Sequence, residues 1–589
     1  MSTSCFTARR RGAKLAAVFA AGSIALAACS TAEEEPEGGG EASESSEGQT
    51  IDQTVSVAWE QEINSYNNLT SDQNATQNTV VLNQVLRGFW FFGEDGSVVP
   101  DTEFGTYEKT SDDPLTVQYS FAEDAVWSDG EPIDCDDFLL HYASSAGTLK
   151  TGQVDEDGNE VGVFNGTQAG YDLMEKPTCA DGDKDIEVVY TEPFADWDAL
   201  FGSFVPAHVV EQQAGIEDII PLIETDDAAA LTPAGEFFNT GWVFEPGTLQ
   251  ADILPSSGPY KLDSWEAGQS LTLVANDQWW GTPPAASTIV FRFISGEQQA
   301  QALQNGDTDI ISPQPQVDVI QQLEAIGDSV TIESGDKYTY EHLDFNFTGP
   351  FASKELREAF AKCVPRQQII DNLIKPVNEE AVVLNSRYNF PFQDDYEATV
   401  EATNAEDYAE VDIAGARALL EAAGAVGTPV RIGYQLPNPR RTSQVQLIAD
   451  SCNQAGFAVA DAGNEEFFGT AMPALDFDVA LFAWAGSPIV TGSSTTFVTP
   501  ASNTDYGNNN GRYSNPEVDE LTAQLDVTTD ADEQQGIVQQ IEAILWQDLA
   551  TIPLFTHPGV DAYNSTVQNV KFQPSQSEVT WNMQEWTKE

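Results

Sequence analysis

Beyond residue 50, apolar and polar residues follow two different periodicities along the chain. Between 55 and 200, segments such as VSVAWE, LTVQYSF and DIEVVY alternate or are rich in β-branched residues, and turn sequences such as GEDG separate them. From about 290, helical and strand patterns alternate, and VRIGYQL, SQVQLIADSCNQAG and FAVADAG follow one another as strand, helix and strand. The pattern predicts an α/β protein whose first half is rich in strands.

The N-terminal segment has a different character. Four basic residues between positions 9 and 14 precede the apolar stretch LAAVFAAGSIALAA, which ends at Cys29. A basic start, a short apolar run and small residues before a cleavage site are typical of a secretory signal. The sequence LAAC at 26–29 also resembles the bacterial lipobox, whose cysteine receives a lipid. We therefore predict a lipoprotein signal peptide over 1–28 and lipidation of Cys29, the alternative being a chance cysteine beside an ordinary cleavage site.

The segment that follows Cys29 is acidic and poor in apolar residues. Its sequence, STAEEEPEGGGEASESSEGQT, contains no apolar residue larger than alanine. Because such a segment cannot bury a core, residues 29–51 are predicted to be a lipidated cysteine and an acidic, disordered tether. The prediction is a body anchored by lipid to the cell membrane and located on its extracellular face.

The net charge of the chain excludes some classes of binding partner. The chain has 94 acidic and 25 basic residues, which gives a formal net charge of −69. Such a surface repels nucleic acid and anionic lipid headgroups, so neither is expected as a partner.

Four cysteines remain once Cys5 and Cys29 are assigned to the leader and the anchor. They are Cys135, Cys179, Cys363 and Cys452. An even number in an exported chain indicates disulfides, and four cysteines allow three connectivities. We favour pairing nearest neighbours in sequence, the first with the second and the third with the fourth. Their wide spacing argues against a zinc site, so no metal is expected.

Motifs that would indicate catalysis are absent from the sequence. There is no Walker-type GxxxxGK[ST], no GxGxxG after a strand, no GxSxG and no HExxH. The four histidines, His141, His208, His342 and His557, do not stand at ligand spacing. The sequence therefore predicts neither an enzyme nor a cofactor. Aromatic and neutral polar segments between elements, such as WEQEINSYNN, LFAWAGSP and IPLFTHPG, instead suggest a site for a ligand.

Six sequence blocks, in order, carry a family resemblance. They are VLNQVLRGFWFFGEDGSVVPD, AVWSDGEPIDCDDFLLHY, SSGPYKLDSWEAGQSLTLVANDQWWG, ALQNGDTDI, LDFNFTGPFASKELREAFAKCVPRQQII and RYSNPEVDEL. Together they resemble the extracellular solute-binding proteins of peptide-type ABC importers, the family of oligopeptide, dipeptide and nickel receptors. The resemblance covers nearly all of the chain after the tether.

The resemblance implies an α/β, two-lobed periplasmic-binding-protein-like fold with a hinge and an extra domain inserted in the first lobe. Ligand would bind in the cleft, and the closed form would dock on the permease subunits of an ABC importer. We expect a monomer. The implied division is a signal peptide at 1–28, the lipidated tether at 29–51, lobe I at 52–81, the inserted domain at 82–184, lobe I again at 185–293, lobe II at 294–560 and lobe I at 561–589.

Binding residues transfer from the family only where its motifs align. The lobe I segment that holds the ligand backbone corresponds to residues 62–66, and we predict contacts from Glu62, Asn64 and Tyr66. The lobe II segment corresponds to Trp484, Ala485, Gly486 and Ser487. Phe555 and His557 fall near a strand that borders the pocket in the family.

One departure from the family concerns the ligand's amino group. The aspartate that pairs with a peptide α-ammonium in many members falls near Ser487, and a hydroxyl cannot replace a charge-assisted hydrogen bond. We hypothesise that Glu62 supplies the negative charge from the other lobe. The alternatives are a receptor for another solute, such as a peptide-like siderophore or a nickel chelate, an extracellular hydrolase, and a signalling or adhesion protein without a permease.

Lipidation of Cys29 is directly testable. A Cys29→Ala variant lacks the thiol that receives the lipid, so we expect the protein in the medium rather than in the membrane fraction. Cell fractionation and immunoblotting measure this distribution. A variant that stays bound to the membrane would contradict the anchor.

Overall fold

The computed structural model describes residues 50–154, 160–166, 168–502 and 506–589. The predicted signal peptide, Cys29 and nearly all of the tether lie outside these residues. None of the helices in the described ranges is both long and apolar enough to span a membrane.

The strands are short in the first half of the chain, and two long ones follow in the second half. In chain order they are β1 (Ile51–Trp59), β2 (Trp90–Phe92), β3 (Val98–Pro100), β4 (Gly105–Asp112), β5 (Leu115–Phe121), β6 (Lys150–Val154), β7 (Glu160–Gly162), β8 (Asp185–Val189), β9 (Tyr260–Glu266), β10 (Ser270–Ala275), β11 (Ala286–Phe293), β12 (Ile310–Ile311), β13 (Val330–Phe345), β14 (Pro429–Gly433), β15 (Ala458–Asp461), β16 (Val479–Trp484), β17 (Thr551–Asn564), β18 (Val567–Gln568) and β19 (Thr587–Lys588).

Most α-helices lie in the second half, as the alternating pattern predicts. They are α1 (Thr76–Leu82), α2 (Cys135–Ser145), α3 (Ala207–Ala214), α4 (Ile220–Glu224), α5 (Ala228–Thr240), α6 (Gly296–Asn305), α7 (Val317–Ile326), α8 (Lys354–Ala361), α9 (Arg366–Leu373), α10 (Tyr396–Glu401), α11 (Ile413–Ala423), α12 (Pro439–Ala455), α13 (Ser494–Phe497), α14 (Pro516–Val527) and α15 (Ala531–Asp548). Gly424 follows the last residue of α11 as its C-terminal cap, and its φ of 66° favours glycine.

One ten-stranded sheet runs through both lobes in the order β15-β14-β16-β13-β17-β12-β1-β11-β10-β9. Strands β12, β1, β11, β10 and β9 form the sheet of lobe I, and β15, β14 and β16 belong to lobe II. The long strands β13 and β17 lie between these two groups and pair with each other in antiparallel fashion. We call β13 and β17 the connecting strand pair.

Strand directions place a cleft beside the connecting strand pair. Strand β12 pairs with β17 near its C-terminal end, at Tyr563, whereas β16 pairs with β13 from Tyr340 onward. Because β1 is parallel to β12, it runs opposite to β16. The carboxyl ends of β1 and β16 therefore approach the middle of the pair from opposite sides, and ligands in open α/β sheets bind at such carboxyl ends.

The inserted domain shares its core with lobe I. Strands β4, β5 and β8 form a separate antiparallel sheet, and α2 packs beside it. One continuous apolar cluster contains Phe121 of β5, Phe138 of α2 and Val57 of β1. Lobe II has a cluster of its own, which includes Phe345 and Leu481. Separate cores allow the lobes to move as two bodies about the connecting strand pair.

The predicted domain bounds stay predictions. Two strands, β8 and β12, pair across these bounds. Strand β8 completes the sheet of the inserted domain although it begins one residue after the predicted bound at 184. Strand β12 lies between β1 and β17 on the side of lobe I, although the prediction assigns residues 294–560 to lobe II.

Both predicted disulfides are confirmed. Cys135 and Cys179 join the start of α2 to the segment before β8, and Cys363 and Cys452 join the segment after α8 to α12. Each bond therefore lies within one lobe and leaves relative motion of the lobes free.

The lobe II disulfide should stabilise the fold. Its partners are 89 residues apart, so cross-linking removes considerable chain entropy from the unfolded state. We expect the double variant Cys363→Ala/Cys452→Ala to lose about 2–5 kcal/mol of unfolding free energy in urea denaturation. The matched control, wild type with its disulfides reduced, should lose at least as much. A double variant as stable as the oxidised wild type would contradict this role.

Candidate ligand-binding site

A cavity of about 830 Å³ lies between the two lobes beside the connecting strand pair. Lobe I contributes Trp59 at the end of β1 and the segment 312–318 after β12, and lobe II contributes 372–374 and 437–441. The connecting strand pair contributes Lys337, Thr339 and residues 557–560. A smaller cavity of about 240 Å³ lies within lobe I, with Trp90 and Phe201 in its wall.

A buried carboxylate organises the polar side of the large cavity. Glu341 of β13 is fully buried. Its Oε1 accepts hydrogen bonds from Arg441 Nε at 2.8 Å and Gln444 Nε2 at 3.1 Å, and its Oε2 accepts one from Arg441 Nη2 at 3.0 Å. Oε2 also lies 2.9 Å from His557 Nε2. Burial by itself would raise the pKa of Glu341, but the hydrogen bonds from His557 and Arg441 hold this pKa well below its usual range.

His557 is neutral and directs its proton to Glu341. Burial lowers the pKa of His557, so the ring carries one proton at neutral pH. A carboxylate only accepts, so this proton lies on Nε2. Arg440 Nη2 is 3.3 Å from the same nitrogen, which then has no lone pair to offer. The contact between Arg440 and His557 is therefore not a satisfied hydrogen bond.

Arg440 is consequently a cation with spare hydrogen-bonding capacity. Its Nη2 is 3.9 Å from Glu341 Oε2, a carboxylate already committed to Arg441, and its guanidinium lies 5.8 Å from the centre of the Phe555 ring. Among the described residues, none accepts a hydrogen bond from Arg440 Nη1. Arg440 lies in the first turn of α12, next to the positive end of the helix dipole. The arrangement suits an anionic group in the cavity.

Charges in the wall differ from those of the whole chain. Lys337, Arg440 and Arg441 line the cavity, opposed by Asp318 and Glu578. Two of the cations are paired, Lys337 with Glu578 and Arg441 with Glu341. In a chain with 94 acidic and 25 basic residues, a wall without an acidic excess is unusual. Arg440 therefore supplies the positive charge that remains for a ligand.

The predicted lobe II residues lie on two faces of the sheet. Trp484 is directly opposite Tyr340 in the strand ladder, and its ring is 5.6 Å from that of His342. Phe555 and His557 share the other face with Glu341. Of these residues, only His557 lines the large cavity among the described residues.

The segment after Trp484 is shaped by close approach to β13. Gly486 N donates to Tyr338 O at 3.2 Å, and a Cβ added at Gly486 would lie 2.3 Å from that oxygen, so a side chain does not fit. Ala485 is exposed. Ser487 Oγ accepts a hydrogen bond from Ile489 N at 3.0 Å.

The predicted lobe I residues are bonded within lobe I. Glu62 accepts hydrogen bonds from Trp265 Nε1 at 2.8 Å and from Gly268 N at 3.0 Å. Asn64 Oδ1 accepts one from Asn78 Nδ2 at 2.7 Å. Tyr66 is fully buried, and its hydroxyl donates to Pro255 O at 2.8 Å. Their roles in binding, including that of Glu62 toward an ammonium group, stay predictions.

Sequence reasoning missed Arg440. A signal was present, since QLPNPRRT places two arginines at a proline-marked helix start in a strongly acidic chain. The pattern does not show which of the two arginines is neutralised. Arg441 is neutralised by Glu341, which lies 100 residues away in the chain.

Comparison with known proteins identifies the family. The family described as bacterial extracellular solute-binding proteins, family 5 Middle, matches residues 101–506. An uncharacterised lipoprotein of Mycobacterium tuberculosis is 30% identical over 596 residues, which cover 98% of this chain and 99% of that protein. The chain belongs to the bacterial extracellular solute-binding proteins of family 5. The resemblance in the six sequence blocks is thereby confirmed.

Two further relatives bear on this family 5 protein. The oligopeptide-binding protein OppA of Mycobacterium tuberculosis is 24% identical over 516 residues, which cover 86% of this chain and 80% of OppA. The solved structure of the periplasmic EDTA-binding protein EppA matches with a TM-score of 0.76 at 21% identity and covers 92% of this chain and 98% of that one. The structural match confirms the two-lobed periplasmic-binding-protein-like fold.

Glu341 should be essential for the stability of lobe II in this family 5 protein. Glu341→Gln leaves Arg441 buried without its counter-charge, so we expect a loss of about 3–5 kcal/mol of unfolding free energy at pH 7. Urea denaturation measures the loss. The pKa of Glu341 is depressed in the folded state, so its contribution is present above the unfolded value of about 4.3 and is lost only as pH falls well below it.

Glu421→Gln is the matched control for Glu341→Gln. Glu421 forms an exposed pair with Arg417 in α11, so its removal should cost less than about 0.5 kcal/mol. Equal losses for the two variants would contradict the role assigned to the buried carboxylate.

Proposed function

We propose that this protein captures short peptides in the cavity between its lobes and delivers them to the permease of an ABC importer. The main support is Arg440, a cation in the cavity wall whose Nη1 has no hydrogen-bond acceptor among the residues that the structure describes. A peptide brings a terminal carboxylate, which a guanidinium binds through charge-assisted hydrogen bonds. The terminal carboxylate is the group that we assign to Arg440.

The size of the cavity suits a small solute. Ligand pockets usually have volumes of about 300–1,000 Å³, and the cavity of about 830 Å³ lies within that range. Trp59 and the proline-rich segments 312–318 and 437–441 supply apolar surface, and the connecting strand pair supplies polar groups. Such a mixed wall holds a peptide by its backbone and ends while it accepts different side chains.

The names of two relatives point in the same direction. One is named for oligopeptide binding and the other for EDTA binding. Peptides and EDTA differ in most respects, but both carry carboxylates. A chelate or peptide-like siderophore rich in carboxylates is therefore the second candidate ligand, and the same arginine would bind it.

Binding requires no chemical step in this proposal. A ligand that contacts both lobes binds the closed form more tightly than the open form, so it shifts the population toward closure. The closed form is the signal that the permease reads. Lipid on Cys29 would hold the monomeric receptor at the extracellular face of the membrane, close to its permease.

The assignment of the carboxylate to Arg440 can be tested by calorimetry. Wild type should bind tripeptides with a free carboxyl terminus more tightly than the same peptides with an amidated terminus. Arg440→Gln should weaken binding of the free peptides by about 10- to 100-fold, because a hydrogen bond to a charged group contributes about 1.5–3 kcal/mol. The variant should also lose the preference for a free terminus.

Arg417→Gln serves as the matched control. Arg417 is exposed on α11 and pairs with Glu421, so this variant should bind as wild type does. Wild-type affinity and preference in Arg440→Gln would contradict the assignment, and tighter binding of an iron or nickel chelate than of any peptide would favour the second candidate.

A further inference from the structure

Asp196 of lobe I is buried against lobe II. It belongs to a segment whose flanking residues Phe194 and Leu200 pack in the lobe I core. Only 6% of Asp196 is exposed. Its Oδ1 accepts a hydrogen bond from Val490 N at 3.0 Å, and its Oδ2 accepts one from Thr491 N at 2.8 Å and another from the Thr491 hydroxyl.

The neighbouring residue extends this contact. Ala195 N donates to the carbonyl oxygen of Asp526 at the end of α14, at 2.9 Å. Gln534 of α15 donates from Nε2 to Ala195 O at 3.2 Å. We call these hydrogen bonds of Ala195 and Asp196 to lobe II the Asp196 clasp. Lobe II thus forms hydrogen bonds with the backbone N–H and C=O of Ala195 and with both carboxylate oxygens of Asp196.

The clasp is independent of the connecting strand pair. Val490 packs against a third apolar cluster, which includes Phe497 and Ile541 and belongs to lobe II. Asp196 and Thr491 are 295 residues apart, and neither belongs to β13 or β17. A rotation of the lobes about the strand pair would therefore separate the two sides of the clasp without breaking either core.

The clasp also adjoins a predicted ligand-binding segment. The loop that begins after Trp484 carries Ser487, whose Oγ accepts from Ile489 N, and then Val490 and Thr491. Asp196 therefore holds the end of a loop whose first residues are predicted, from the family resemblance, to contact a ligand.

We propose that Asp196 is a positioning residue that sets the equilibrium between open and closed lobes without touching the ligand. A carboxylate that accepts from two backbone N–H groups and a hydroxyl makes charge-assisted, directional bonds, and these form only in the closed arrangement. Apparent affinity falls in proportion to the closed fraction, so loss of the clasp weakens binding through that fraction. The inference rests on the proposed function for ligand-coupled closure, but its first test requires no ligand.

The test compares Asp196→Asn with Asp198→Asn in the purified, ligand-free protein. Asp198 is an exposed acid of the same segment and makes no hydrogen bond to lobe II among the described residues. Two quantities are measured, the radius of gyration by small-angle scattering and amide hydrogen exchange at residues 490 and 491. Asp196→Asn should increase the radius of gyration. It should also accelerate amide exchange at residues 490 and 491 by about tenfold or more, because their hydrogen bonds to a charged acceptor are lost. Asp198→Asn should change neither.

Each outcome decides the question. Faster exchange at 490 and 491 without a change in radius would overturn the role in closure, since the clasp would then be only a local contact. Unchanged exchange and radius would overturn it as well. Thr491→Val keeps Asp196 and removes one donor, so it should give a smaller change in the same direction and serves if Asp196→Asn does not fold. Failure of every tripeptide to bind wild type would count against the proposed function but not against these structural readouts.

Discussion

The pairing of β13 with β17 is the constraint on which the rest of the structure depends. These two strands are bonded to each other along their length, to lobe I through β12 and to lobe II through β16. They thus provide a covalent link and one hydrogen-bonded link between two bodies with separate cores. Because the carboxyl ends of β1 and β16 point toward the middle of this pair, the cavity lies there. A rotation of the lobes about the same two strands would change the width of the cavity.

The charges in the cavity wall also depend on the pairing of β13 with β17. β13 carries Glu341 into the interior beside His557 of β17, and α12 supplies Arg441 to neutralise it. Arg440, one residue earlier in the helix, approaches only this shared carboxylate among the acidic groups that the structure describes, at 3.9 Å. A buried acid thus neutralises Arg441 and leaves its neighbour Arg440 charged in the cavity wall, in a chain whose overall charge would otherwise repel anions.

The fold was largely predictable from the sequence, whereas the site was not. Strand and helix periodicities predicted the α/β class, and sequence proximity predicted both disulfides. The faces of the lobe II strands depend on β-bulges in the pairing of β13 with β17, at residues 336–342, and a bulge leaves no periodic signal. The sequence therefore does not show that Trp484 and His557 lie on opposite faces, or that Tyr66 is fully buried. Their roles in binding stay predictions. Arg440 was missed because the missing acceptor at its Nη1, among the described residues, is a property of the folded structure.

The identity of the bound solute tests most directly whether the cavity between the lobes binds peptides. Native mass spectrometry of the protein purified from its own cells, followed by release and fragmentation of whatever is bound, measures it without prior choice of ligand. We expect a ladder of short peptides with free carboxyl termini, bound non-covalently at one per chain. A bound ligand that lacks any anionic group would contradict it.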